Sequence, residues 1–182
     1  MSQPQHSEQQ TEDKPTIHSV VGKIAHAIEN TLSTGDLAQL RRISPEEPYT
    51  PALWKVLLDF VPDPWLEHGD RDENERRWAA LLMGMTMTAG LHNPAVPLGR
   101  ALAEAGWSEL RFARLMRNRG EKLHERVRHV ASYLDSKQQE ADWTDMARLL
   151  RSQHGKWAEK HRRRIARSYY RALYEQESAD ES

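Results

Sequence analysis

Lys156, Lys160, Arg163, Arg167 and Arg171 recur at three- and four-residue intervals near the C-terminal end of the chain. At 100° per residue they fall within a helical arc of roughly 80°. That spacing makes a cationic ridge about 22 Å long, suited to ion pairing with a run of phosphates. Arg164 lies beside it, and Trp157, Ile165, Tyr169 and Ala172 are expected on the opposite, core-facing side. Arg111, Arg114, Arg117 and Arg119 place four arginines within nine residues, with no lysine among them. The planar guanidinium offers phosphates a fork that an ammonium lacks. Smaller groups are Arg41 with Arg42, Arg76 with Arg77, and Arg128. The candidate contacts to a nucleic-acid backbone are therefore Arg41, Arg42, Arg76, Arg77, Arg111, Arg114, Arg117, Arg119, Arg128, Lys160, Arg163, Arg164, Arg167 and Arg171. A solvated helix face is the plainer reading of any one group, and the dipole at a helix C-terminus is enough to explain Arg41 and Arg42.

Charge distribution favours the phosphate reading. The formal net charge is −1, but 18 Lys and Arg face 9 Asp and Glu between Arg100 and Arg171, against 8 and 18 in the remainder. A field separated in this way steers a polyanion to one half of a molecule. Aromatic residues are sparse in the basic segments (Phe112, Trp157, Tyr169, Tyr170), which favours tracking of the backbone without sequence readout.

Other chemistries lack their parts. Without cysteine there is no disulfide, thiolate nucleophile or Cys-based zinc site. Glu121 and His124 put two possible ligands on one helix, but the second pair and the further carboxylates of a di-iron bundle are missing, so surface or capping histidines are expected. Neither a Gly-rich phosphate loop nor a nucleophile elbow occurs, and Asp70 and Asp72 lie in a stretch with nothing to fix their separation. The expectation is a protein that is not an enzyme and has no cofactor or metal.

The elements that carry these groups read as helices throughout. Ile17, Val20, Val21, Ile24 and Ile28 mark an amphipathic helix from about Thr16, ending before Gly35. Asp36 is read as the cap of a short helix to Arg42. A Pro-rich loop over 44–51 precedes a helix over 51–60 with Leu53, Trp54, Leu57 and Leu58 inward. An irregular stretch over 61–72 precedes a helix over 74–89 with Trp78, Leu81, Leu82 and Met85 packed and Arg76 and Arg77 at its exposed start. The turn over 90–97 is the expected seam between two helical lobes, 16–94 and 95–174. Ser108 caps the Arg-rich helix, a further helix runs over 121–134, Asp142 opens another, and a break at 153–155 precedes the ridge helix. No period-two pattern or internal repeat appears, so the fold class is all-α, a two-lobed helical bundle. The polar N-terminal tail (1–15) and the acidic tail (175–182) are expected to be disordered and frayed respectively. No apolar run spans a bilayer and no signal-peptide core is present, so a soluble, cytoplasmic protein without membrane contact is expected.

Four segments occur in an order that resembles a known family: 35–42 (GDLAQLRR), 98–103 (LGRALA), 108–117 (SELRFARLMR) and 142–150 (DWTDMARLL). Together they resemble CasB, the small subunit of the type I-E CRISPR Cascade effector, over roughly Thr16 to Leu173. The resemblance implies an all-helical, two-lobed, non-catalytic subunit, two copies of which form the belly of a ribonucleoprotein. It implies as partners other Cascade subunits, a second copy of the chain, and the guide RNA and target DNA, including the displaced strand held to stabilise an R-loop. Cleavage would belong to a recruited nuclease-helicase. Arg41 and Arg42 stand where the family has a basic pair, and Arg111 and Arg117 match basic positions. The Pro- and acid-rich stretch 46–75 departs from the family pattern. A helical protein-interaction scaffold without nucleic-acid binding is the alternative.

Overall fold

Among the described residues, six of the ten helices begin on a side-chain cap of the kind the sequence supplies. Thr16, Ser33, Thr50, Asp70, Ser108 and Asp142 each accept a main-chain N–H from the first turn that follows. In the computed structural model, which describes residues 14–181, the order is α1 Ile17–Asn30, α2 Thr34–Arg41, α3 Pro51–Phe60, α4 Asp63–Glu67, α5 Arg71–Met87, α6 Leu98–Glu104, α7 Glu109–Arg117, α8 Gly120–Lys137, α9 Trp143–Arg151 and α10 Gly155–Asp180. The fold is all-α. Among the described residues there is no strand, only an isolated bridge between His92 and Ala141. No described helix is long and apolar enough to cross a membrane. Most of the expected N-terminal tail, residues 1–13, lies outside the described residues.

α5 is the central element. From Trp78 to Thr86 every residue is buried, because α1 to α4 pack on one side and α8 and α9 on the other. Gly84 permits this. A Cβ there would stand 2.6 Å from the Trp143 ring and 2.8 Å from Val127. Gly99 does the same for α6 against α10: its Cβ would collide with the Ile165 carbonyl and the Tyr169 nitrogen. One continuous apolar cluster runs from Val20 on α1 to Ala172 on α10. The connection over 90–97 is pinned to the α8–α9 linker, with Ala141 N–H donating to Leu91 at 2.9 Å and Asp142 N–H to Val96 at 2.7 Å.

Several sequence expectations are corrected. Ser33, not Asp36, caps α2; Asp36 sits at the third helical position and accepts from the Ser33 hydroxyl at 2.8 Å. The inward stripe of α3 is Ala52, Leu53, Val56 and Leu57, whereas Trp54 and Leu58 face solvent. The stretch 61–72 contains α4, and α5 starts at Arg71, three residues earlier than read. α10 does not fray at Glu175 but continues to Asp180; Arg100 pairs with Glu175 at 3.0 Å, and no Gly or Pro interrupts the run. Trp157 stands away from the core, 65% exposed.

Candidate nucleic-acid interface

α7 buries Phe112 and Leu115, so Arg111, Arg114 and Arg117 are turned out to solvent. On α8, Arg126, His129, Tyr133 and Ser136 recur at three and four residues and face α7. Together with Trp107 and Ser132, these groups line a groove of about 400 Å³ containing Arg111, Arg114 and Arg126 and, among the described residues, no carboxylate. Arg111 is held over two rings, 5.4 Å from the Trp107 centroid and 5.8 Å from that of Tyr133. The rings meet edge to face at 4.9 Å, and the Tyr133 hydroxyl donates to the Ala105 carbonyl at 2.8 Å. Arg126 Nη1 lies 3.3 Å from His129 Nδ1. Arg126 Nε is a buried donor with no acceptor among the described residues. Three guanidiniums, three hydroxyls and an unanswered N–H make a groove that takes anions, above all phosphates, whose oxygens the planar guanidinium forks match.

α10 carries the second basic surface. Ala158, Ile165, Tyr169 and Ala172 are buried on one side. Lys156, Lys160, Arg163, Arg164 and Arg167 line a shallow concavity on the other, with Glu159 as its one acid among the described residues. Arg171 continues the ridge, exposed. Arg164 reaches back to the buried carboxylate of Asp145. Phe112 stacks on Tyr169 at 3.9 Å, and Arg162 donates to the Met116 carbonyl at 3.0 Å, so groove and ridge stand on adjoining helices. They share no lining residue.

The remaining candidates divide by what already holds them. Arg42 is exposed at the end of α2, and among the described residues Arg42, Arg114, Arg117, Arg163, Arg167 and Arg171 have no ion-pair partner. Arg41 donates to the Thr86 carbonyl at 3.3 Å. Arg76 and Arg77 are not at a free, exposed helix start as expected. Arg76 pairs with Asp72 at 2.8 Å and donates to the Pro45 carbonyl at 3.1 Å, and Arg77 pairs with Glu73 at 3.1 Å. Arg119 donates to four main-chain carbonyls, Gln153 at 2.8 Å among them. Arg128 braces the end of α2 through the Ile43 carbonyl at 2.5 Å and the Arg41 carbonyl at 3.3 Å. Sequence reasoning missed Arg126, His129 and Ser136 as groove residues, although their spacing on one helix face was there to be read.

A cavity of about 690 Å³ between the 43–48 loop, α5 and α8 is a different environment. Glu46, Asp70, Asp72, Glu73, Glu121 and Glu125 line it against Arg76 and Arg128, so it repels phosphate. His124 at its floor is nearly fully buried, and burial holds its imidazole below the usual histidine range.

Comparison with known proteins joins this geometry to a family. No curated protein matches the chain. Among solved structures, the chain is similar to one in the crystal structure of E. coli Cascade bound to a PAM-containing double-stranded DNA target, with a TM-score of 0.65 and 22% identity, covering 85% of this chain and 96% of that one. It is also similar to CasB from Thermobifida fusca, with a TM-score of 0.64 and 19% identity, covering 84% and 94%. Both likenesses are of fold. The family model for CRISPR-associated protein Cse2 matches residues 36–170, from the first turn of α2 to the middle of α10. The chain therefore belongs to the Cse2 family of CRISPR-associated proteins.

Proposed function

We propose that the chain is a non-catalytic subunit of a Cascade-type ribonucleoprotein that grips nucleic-acid backbone. In this reading it holds the displaced non-target DNA strand and lies along the guide–target duplex, so stabilising the R-loop. The observation that carries the reading is the carboxylate-free groove of Arg111, Arg114 and Arg126, with the α10 ridge beside it. R-loop formation is a nearly balanced exchange of one duplex for another, so a modest set of phosphate contacts shifts it. The similar E. coli chain comes from Cascade bound to a double-stranded DNA target, which supports target DNA and other Cascade subunits as partners here; a guide RNA and a second copy of the chain belong to the same proposal. The division into lobes 16–94 and 95–174 belongs to this proposal, with the second lobe as the basic one. Footprinting of the displaced strand tests it. Complexes with the chain protect that strand, and complexes without it, or with R111E/R114E, leave it open while the variant still assembles.

A scaffold role has its own observation. Leu58 is 82% exposed and Trp54 45% exposed on the outer face of α3, an apolar patch suited to a neighbouring protein. The two roles are separable, since R111E/R114E removes strand protection in the first and changes nothing in a pure scaffold.

A further inference from the structure

The six tryptophans divide into those the core uses and those it does not. Trp78, Trp107 and Trp143 are buried, and Trp65 lies between Trp78 and Arg151. Of the two exposed ones, Trp54 stacks on Tyr49 at 5.3 Å. Trp157 has no ring partner among the described residues. It stands 65% exposed in the first turn of α10, with the Lys160 ammonium 4.9 Å from its ring centroid. Packing within the monomer gives no account of an indole left in water at that place.

Its position gives one. On the helix Trp157 lies at the edge of the cationic arc, two turns before Arg164 at nearly the same helical angle and one turn from Lys160. A sugar-phosphate chain lying along this ridge carries its bases past the ring. In a duplex those bases are paired and stacked on one another; only an unpaired strand has a base face to offer. Beyond Tyr174 the helix turns acidic at Glu175 and Glu177, which bounds the strand to the stretch before it.

We propose that Trp157 is a base-stacking residue and that the α10 ridge therefore takes single-stranded nucleic acid. The ring receives one unpaired base while Lys160 and Arg163 take phosphates beside it. This rests on the backbone-binding reading above and adds to it the surface that takes the unpaired strand and the residue that selects it.

The test titrates the full chain, W157A, W157F and R163E/R167E with two labelled single strands of about fifteen nucleotides. One is an oligothymidylate and the other an abasic chain of equal charge. W157A weakens oligothymidylate binding roughly tenfold and leaves the abasic chain unchanged, W157F retains most of the affinity, and R163E/R167E weakens both. If W157A binds oligothymidylate like the wild type while R163E/R167E weakens it, stacking is overturned and the backbone reading stands. If W157A weakens both strands equally, stacking is again overturned. Should R163E/R167E bind both strands like the wild type, the ridge is not a binding surface and both readings of it fall.

Discussion

The buried carboxylate of Asp145 on α9 accepts the main-chain N–H of Leu98, the first residue of α6, at 3.1 Å. α6 has no side-chain cap of its own, because Pro97 precedes it. Asp145 therefore satisfies from another helix a donor that the first turn leaves free. The same carboxylate receives Arg164 from α10 and lies 3.6 Å from Arg148, so one side chain ties α6, α9 and α10 together. Asp145→Ala is expected to lower stability by roughly 3 kcal/mol, read by denaturant unfolding. A change below ~1 kcal/mol would show that water replaces the carboxylate freely.

Gly99→Ala is expected to cost about 1–3 kcal/mol. The added methyl meets the main chain of α10 at Ile165 and Tyr169, and main chain cannot rotate aside. Gly22→Ala, with nothing within 4 Å of its Cβ position, is the control and is expected to be neutral or mildly stabilising in thermal melting.

Acid should weaken the fold through three buried or partly buried histidines, His92, His124 and His161. Burial holds His92 and His124 below the ordinary value, although nearby carboxylates pull the other way. In His92, Nδ1 accepts the Trp143 N–H at 3.2 Å, a bond that protonation of Nδ1 removes. A depressed folded pKa means that the unfolded chain takes up protons first. The stabilisation is thus fully present above about pH 6.5 and lost as pH falls below it toward the folded values. Melting temperatures should fall between pH 7.5 and 5.5, and His124→Leu should make that fall shallower. An unchanged slope would remove His124 from the account.

The arginines should separate into braces and contacts. Arg128→Ala leaves the carbonyls of Ile43 and Arg41 without their donor and is expected to lower stability by roughly 1–2 kcal/mol. Arg117→Ala removes no side-chain bond among the described residues and should leave melting unchanged while weakening strand binding. If both variants lose binding equally and neither loses stability, the division fails.

Where local chemistry decides, the sequence was legible. Ser108 and Asp142 were readable as caps because a short polar side chain before an apolar stripe has one good use; at α2 two such side chains compete, and Ser33 rather than Asp36 takes the position. Where packing decides, it was not. α3 carries apolar residues on all sides but the narrow strip of Lys55 and Asp59, so its inward stripe could be read one position out of phase, with Trp54 and Leu58 in place of Ala52 and Val56. Only the neighbours of α3 break that tie. Trp157 was assigned to the core by its hydrophobicity, although its helical angle places it at the edge of the ridge. At the site, the arginine runs marked the right helices. Which guanidiniums their own carbonyls would occupy, as with Arg119 and Arg128, depends on contacts distant in sequence that periodicity does not contain.

The most direct measurement is the salt dependence of DNA binding by the wild type and by R111Q/R114Q. With about six phosphates engaged, affinity should fall roughly a thousandfold between 50 and 200 mM salt. The double variant should bind more weakly, with a log–log slope smaller by about two. An affinity that does not respond to salt, or a slope that the two substitutions leave unchanged, would contradict the grip on the phosphate backbone.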